Sequence, residues 1–213
     1  MKKQTIILPI YQRNTLLQIA GVSGIFFALF SLLIISYCLS QSPWFDWQEH
    51  FLSDMGVLGS TVFVFNAGIV FIGICATLYG LGYTYVSSNQ VASSVFLAGG
   101  IAFIFVGLFP LSYFWLHALF VSAAFILSIS AIIHLSFHSR KPPLGTFEYG
   151  LSAYMIAAIV FGLLSLIPSI FFGSFAASEV VYFIAISVLI IPTSVKMLNP
   201  EVMMRRKRKA KTK

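Results

Sequence analysis

Long apolar runs without charge divide the 213-residue chain. The first covers about 16–40, and five more follow at about 57–83, 91–111, 113–137, 151–172 and 180–195. A helix rising about 1.5 Å per residue needs roughly 20 apolar residues to cross about 30 Å of hydrocarbon, and these runs are of that order. The pattern predicts an all-α fold: an integral membrane bundle of six transmembrane helices in a single domain. A basic tail at 196–213 follows the last helix. The first run is too long for the apolar region of a cleaved signal peptide and no small-residue cleavage motif follows it, so it reads as a permanent helix.

Breakers and small residues refine this outline. The connection "HSRKPPLGTFEYG" at 138–150 contains Pro142 and Pro143, which forbid a continuous helix between the fourth and fifth segments. Pro168 and Pro192 fall inside the fifth and sixth segments and predict kinks or freed carbonyls there. Gly59, Asn66, Gly73 and Gly80 recur every seven residues on the second segment, and Gly100 and Gly107 do so on the third. Lipid supplies no hydrophobic drive between helices, so such stripes of small residues mark expected close contacts. No inverted repeat relates the first three segments to the last three, which disfavours a classical secondary transporter.

Composition agrees: 59% of the residues are hydrophobic, 9% are charged and the mean hydropathy is +0.94. Charge adds orientation. Lys2, Lys3 and Arg13 precede the first segment, Arg140 and Lys141 lie between the fourth and fifth, and Lys196 follows the sixth. The connections at the other end contain no lysine or arginine, so the positive-inside rule places both termini in the cytoplasm and the chain in the cell membrane. The formal net charge of +7 is concentrated in the tail, where Arg205, Arg206, Lys207, Arg208 and Lys209 adjoin one another. Such a cluster beside a membrane gains about 1 kcal/mol per residue from anionic headgroups. Membrane lipids are thus the expected partners, with room for a protein partner in the membrane and no role for nucleic acid.

No Asp, Glu, Lys, Arg or His occupies the middle third of any segment. Proton relays and voltage sensors need ionisable groups at that depth, which argues against a coupled pump or voltage-gated channel. Asn66, about nine residues into the second segment, is the deepest strong hydrogen-bonding group and serves either a helix contact or a polar cavity. Cys38 and Cys75 lie at different depths, so no disulfide is expected. His134 and His138 have metal-ligand spacing, but 17 residues of helix carry His134 about 25 Å from His117. Beside Arg140 and Lys141 they read as a helix end at the membrane surface. Trp44, Trp47, Tyr113 and Trp115 suit an aromatic belt at the outer interface.

The stretch "PWFDWQEHFLSDMG" at 43–56 concentrates acid on the predicted outer side, with Asp46, Glu49, His50, Ser53 and Asp54. Asp54 precedes the second segment, His117 stands one turn into the fourth, and Glu179 opens the sixth, all at one level. Two readings stay open. In one, His117 acts as a general base oriented by Asp54 or Glu179 and activates Ser53 or water, or the three ionisable groups form a partial metal site. In the other, Asp54 and Glu179 cap the N-termini of their helices and His117 bonds a loop carbonyl.

"W-x-x-x-x-L-S-D-M-G" at 47–56, "F-N-A-G" at 65–68, "G-L-F-P" at 107–110, His117 and Glu179 together resemble the prokaryotic family called domain of unknown function 998. The resemblance spans nearly the whole chain. It implies a six-helix membrane protein and brings no established reaction or cofactor. A looser likeness, at Ser53, Asp54, Gly56 and His117, links it to the Frag1/DRAM/Sfk1 group of six-helix proteins of lipid and membrane homeostasis. Two functions compete: a non-catalytic lipid-binding, assembly or accessory protein, and a membrane-embedded hydrolase or lipid-modifying enzyme at the outer leaflet.

Overall fold

The computed structural model describes residues 10–87, 90–138 and 175–199. Within them the chain forms α1 (Ile10–Ser40), a 3₁₀ turn (Leu52–Gly56), α2 (Val62–Val86) and α3 (Gln90–Leu108). A second 3₁₀ turn (Leu111–Tyr113), α4 (Phe114–His138) and α5 (Phe175–Leu198) follow. All five helices are long and apolar enough to cross a membrane. The predicted segment at 151–172, Pro168, the connection at 139–150 and the basic tail lie outside the described residues.

Two helix starts differ from expectation for identifiable reasons. The second helix begins at Val62 rather than near 57, because Gly59 takes a left-handed φ of 76°. A side chain is strained in that conformation, and a Cβ there would also lie 2.8 Å from Trp44 Nε1. The last helix begins at Phe175 rather than 180: hydropathy dips at Ser178 and Glu179, but Ala176 and Ala177 favour helix regardless of apolarity. Pro192 does sit inside this helix.

α1 packs against α2 and α5, α2 against α3, and α3 against α4. The seam between α2 and α3 is a backbone contact. A Cβ on Gly73 would approach Ile104 N to 2.5 Å, and one on Gly100 would approach Thr77 N to 2.8 Å. One on Gly107 would lie 2.7 Å from Asn66 O. The glycine stripes therefore do what their spacing predicted, except that Gly59 belongs to the turn before α2. Aromatic rings close the interior between α3, α4 and α5: Phe125 stacks on Tyr182 at 3.9 Å, and Phe103 meets Phe183 edge-on at 5.6 Å. Cys38 and Cys75 are buried free thiols.

α1 to α4 alternate in direction and α5 runs parallel to α4, so the C-terminal ends of α1 and α3 and the N-terminal ends of α2, α4 and α5 gather at one end of the bundle. Both 3₁₀ turns lie there and touch each other. Asp46, Glu49, His50, Asp54, His117 and Glu179 are carried to this end.

Candidate functional site

The segment "LSDMG" forms the 3₁₀ turn, and its two apolar residues plug the end of the bundle. Leu52 is 2% exposed and Met55 is fully buried. Burying a short helix leaves its terminal backbone groups to be satisfied by other parts of the chain. Four side chains supply this.

At the N-terminal end, the Phe51 N–H donates to Asp54 Oδ2 at 2.8 Å, and the next N–H, of Leu52, donates to Glu179 Oε2 at 2.7 Å. At the C-terminal end, Asn66 Nδ2 donates to Gly56 O at 2.8 Å and Thr61 Oγ1 donates to Met55 O at 3.2 Å. The turn is clamped from its own sequence, from α2 and from α5.

These bonds correct two expected caps. Asp54 caps the 3₁₀ turn and not α2, whose first residue is eight positions later. Glu179 lies a full turn inside α5 and caps the 3₁₀ turn, 127 residues away in sequence, rather than its own helix. The physics was anticipated and the helix was misassigned, because a charge satisfies whichever orphan N–H groups the packing brings near it. Asn66 is the fifth residue of α2, shallower than expected, and makes an interelement contact.

His117, 6% exposed, hydrogen-bonds through Nδ1 to Phe109 O at 2.8 Å. A carbonyl only accepts, so Nδ1 carries the proton and Nε2 is the basic nitrogen. The ring is therefore oriented by a loop carbonyl. No hydrogen bond joins His117 to Ser53, Asp54 or Glu179, and among the described residues no three His, Cys, Asp or Glu side chains group as a metal would require. Asp54 and Glu179 thus bond backbone N–H groups and His117 a backbone carbonyl.

Ser53, His117 and Glu179 do share a wall. They line a small cleft of ≈ 40 Å³ whose remaining lining is apolar, including Phe65, Phe103, Phe125 and Phe183. The few polar groups of this mostly aromatic and aliphatic lining come from the turn, α4 and α5. Asp54 is not part of this lining.

The loop before the turn uses its polar groups internally. Asp46 N–H donates to His50 Nδ1 at 3.0 Å, and Gln48 N–H to Asp46 Oδ1 at 2.7 Å. Trp44 packs edge-on against His50 at 5.2 Å. Trp115 is 82% exposed, and Tyr113 and Trp47 are also exposed, as a belt of interfacial rings requires. His134 and His138 lie on α4 well beyond His117.

Thr61, the Phe109 carbonyl and the four phenylalanines of the cleft were not singled out from sequence. Phe65 and Phe109 sit within "F-N-A-G" and "G-L-F-P", so the signal was present as motif and lacked only a geometry.

Apolar helices of spanning length, packed on glycine and closed at one end by a polar-clamped plug, define a polytopic helical membrane protein. Within that class, residues 22–196 match the family described as Protein of unknown function (DUF998), and the chain belongs to it. Neither the curated proteins nor the solved structures include a match to the chain.

Proposed function

We propose that the protein is a non-catalytic multi-pass membrane protein with a lipid-binding, assembly or accessory role. In this reading the chain spans the cell membrane six times with both termini cytoplasmic, and the clamped turn lies on the outer side. One observation carries the reading: Asp54, Glu179 and His117 each bond the chain's own backbone rather than one another. A general acid–base site needs its groups within hydrogen-bonding reach of each other or of substrate, and these groups hold a plug and a helix junction. Arg205, Arg206, Lys207, Arg208 and Lys209 supply cytoplasmic attraction to anionic headgroups.

A second reading has its own support. Ser53, His117 and Glu179 line one cleft, so a hydrolase with His117 as base and Ser53 as nucleophile would find its groups around a single substrate site. The test is His117→Ala, purified in a mild detergent and compared with wild type for thermal unfolding and for hydrolysis of phospholipid and single-chain ester substrates. The binding reading expects a lowered melting temperature and no hydrolysis by wild type. Hydrolysis by wild type that disappears in a variant of unchanged melting temperature would overturn it in favour of the enzyme.

A further inference from the structure

Three polar atoms on the wall of the cleft are left over once the clamp has been made. Glu179 gives Oε2 to the Leu52 N–H, and His117 gives its Nδ1 proton to Phe109 O. Among the described residues, Glu179 Oε1, His117 Nε2 and Ser53 Oγ bond no other atom of the chain, and none of the three is sealed away from solvent. They come from α5, α4 and the 3₁₀ turn, and all three residues line the same ≈ 40 Å³. Two of these atoms only accept: an ionised carboxylate oxygen, and the imidazole nitrogen left bare by the proton on Nδ1. Neither satisfies the other, so the pair calls for a donor with two hydrogens.

We infer that the cleft is a water site, in which a held water donates one hydrogen to Glu179 Oε1 and one to His117 Nε2 and meets the Ser53 hydroxyl. Three polar partners are the usual number for a buried water, and each water needs about 10–15 Å³ of cavity, so the space suffices. An apolar chain end of the same size would leave all three polar atoms unpaired beside it. The water has a mechanical consequence. α1 meets α5 along a close backbone seam, where a Cβ on Gly21 would lie 2.7 Å from Ser194 O. α4 meets α5 instead through side chains, with Phe125 stacked on Tyr182. Bridging His117 to Glu179 adds a polar tie between α4 and α5 and joins the Phe109 carbonyl to the Leu52 N–H in one run of hydrogen bonds.

The experiment is X-ray hydroxyl-radical footprinting of the full-length protein in phosphatidylcholine vesicles, read by mass spectrometry. Radiolysis turns a held water into a radical that oxidises the rings beside it. Phe65, Phe103 and Phe183 line the cleft at 5–6% exposure, while Phe27 at 2% and Phe96 at 9% do not line it. The three cleft rings are expected to be oxidised at least about fivefold faster than Phe27 and Phe96, because equal burial without water nearby gives no radical source. Dilution into heavy-oxygen water just before exposure should mark the exposed Trp115 with the heavy isotope and the cleft rings with the light one. Val121→Phe, filling the cleft from α4, should bring the cleft rings down to the rate of Phe96. Should that variant not fold, the wild-type rates decide alone. Cleft rings oxidised no faster than Phe27 and Phe96 overturn the water site, as does oxidation that persists in folded Val121→Phe. Heavy isotope in the cleft rings equal to that in Trp115 overturns it too, since the cleft would then hold only free solvent.

Discussion

The α2–α3 seam and the clamped 3₁₀ turn solve the same problem with opposite chemistry. Along the seam, Gly73, Gly100 and Gly107 remove side chains until backbones touch, and dispersion between close surfaces holds the helices where lipid gives no hydrophobic drive. At the turn, backbone groups released by a short helix are bound by Asp54, Glu179, Asn66 and Thr61. The difference teaches that a membrane bundle can use the absence of atoms at depth and must use polar atoms where its chain turns. Gly107 joins the two regions, since it packs against the same Asn66 whose amide holds the turn.

This comparison can be broken first at the seam. Gly73→Leu places atoms within 2.5 Å of the Ile104 backbone, which no rotamer change relieves. The cost should be at least about 3 kcal/mol, the upper end for overpacking, read as loss of monodisperse protein or a large fall in melting temperature in detergent. If Gly73→Leu melts like wild type, the helices are not in backbone contact.

The turn should respond less and more selectively. Glu179→Leu leaves the Leu52 N–H without its acceptor and should cost about 1–3 kcal/mol, whereas Glu179→Gln should recover most of that. Equal losses in both variants would mean that charge rather than the hydrogen bond matters. Asn66→Ala removes one bond to Gly56 and should cost about 0.6 kcal/mol, the average for polar contacts in membrane bundles. Combining Glu179→Leu with Asn66→Ala should cost less than the two separately, because both act on one short turn. Strict additivity would show that its two ends move independently.

The smallest effect should come at the surface. Trp115→Ala, at an 82% exposed site, should change melting in detergent by no more than about 0.5 kcal/mol. A larger change would mean that the ring packs inside an assembly of this chain.

Much of this was legible along the chain. The five described spans follow from uninterrupted apolarity, which is a local sum over residues and survives whatever the helices pack against. The seam was legible because a seven-residue period maps directly onto a helix face, as Gly73 and Gly80 show. Gly59 shares that period yet belongs to a turn, because spacing alone does not report a left-handed φ.

The polar end divides in the same way. Sequence by itself determined that Asp54, His117 and Glu179 share one end of the bundle, since helix count and apolar length set depth. It also showed that carboxylates there would seek backbone N–H groups. Only the tertiary structure decided which ones: Glu179 reaches Leu52 across 127 residues, and His117 takes the Phe109 carbonyl. A hydrogen bond depends on positions to within a fraction of an ångström, and those are set by how helices dock, a property of pairs of segments that no single segment carries.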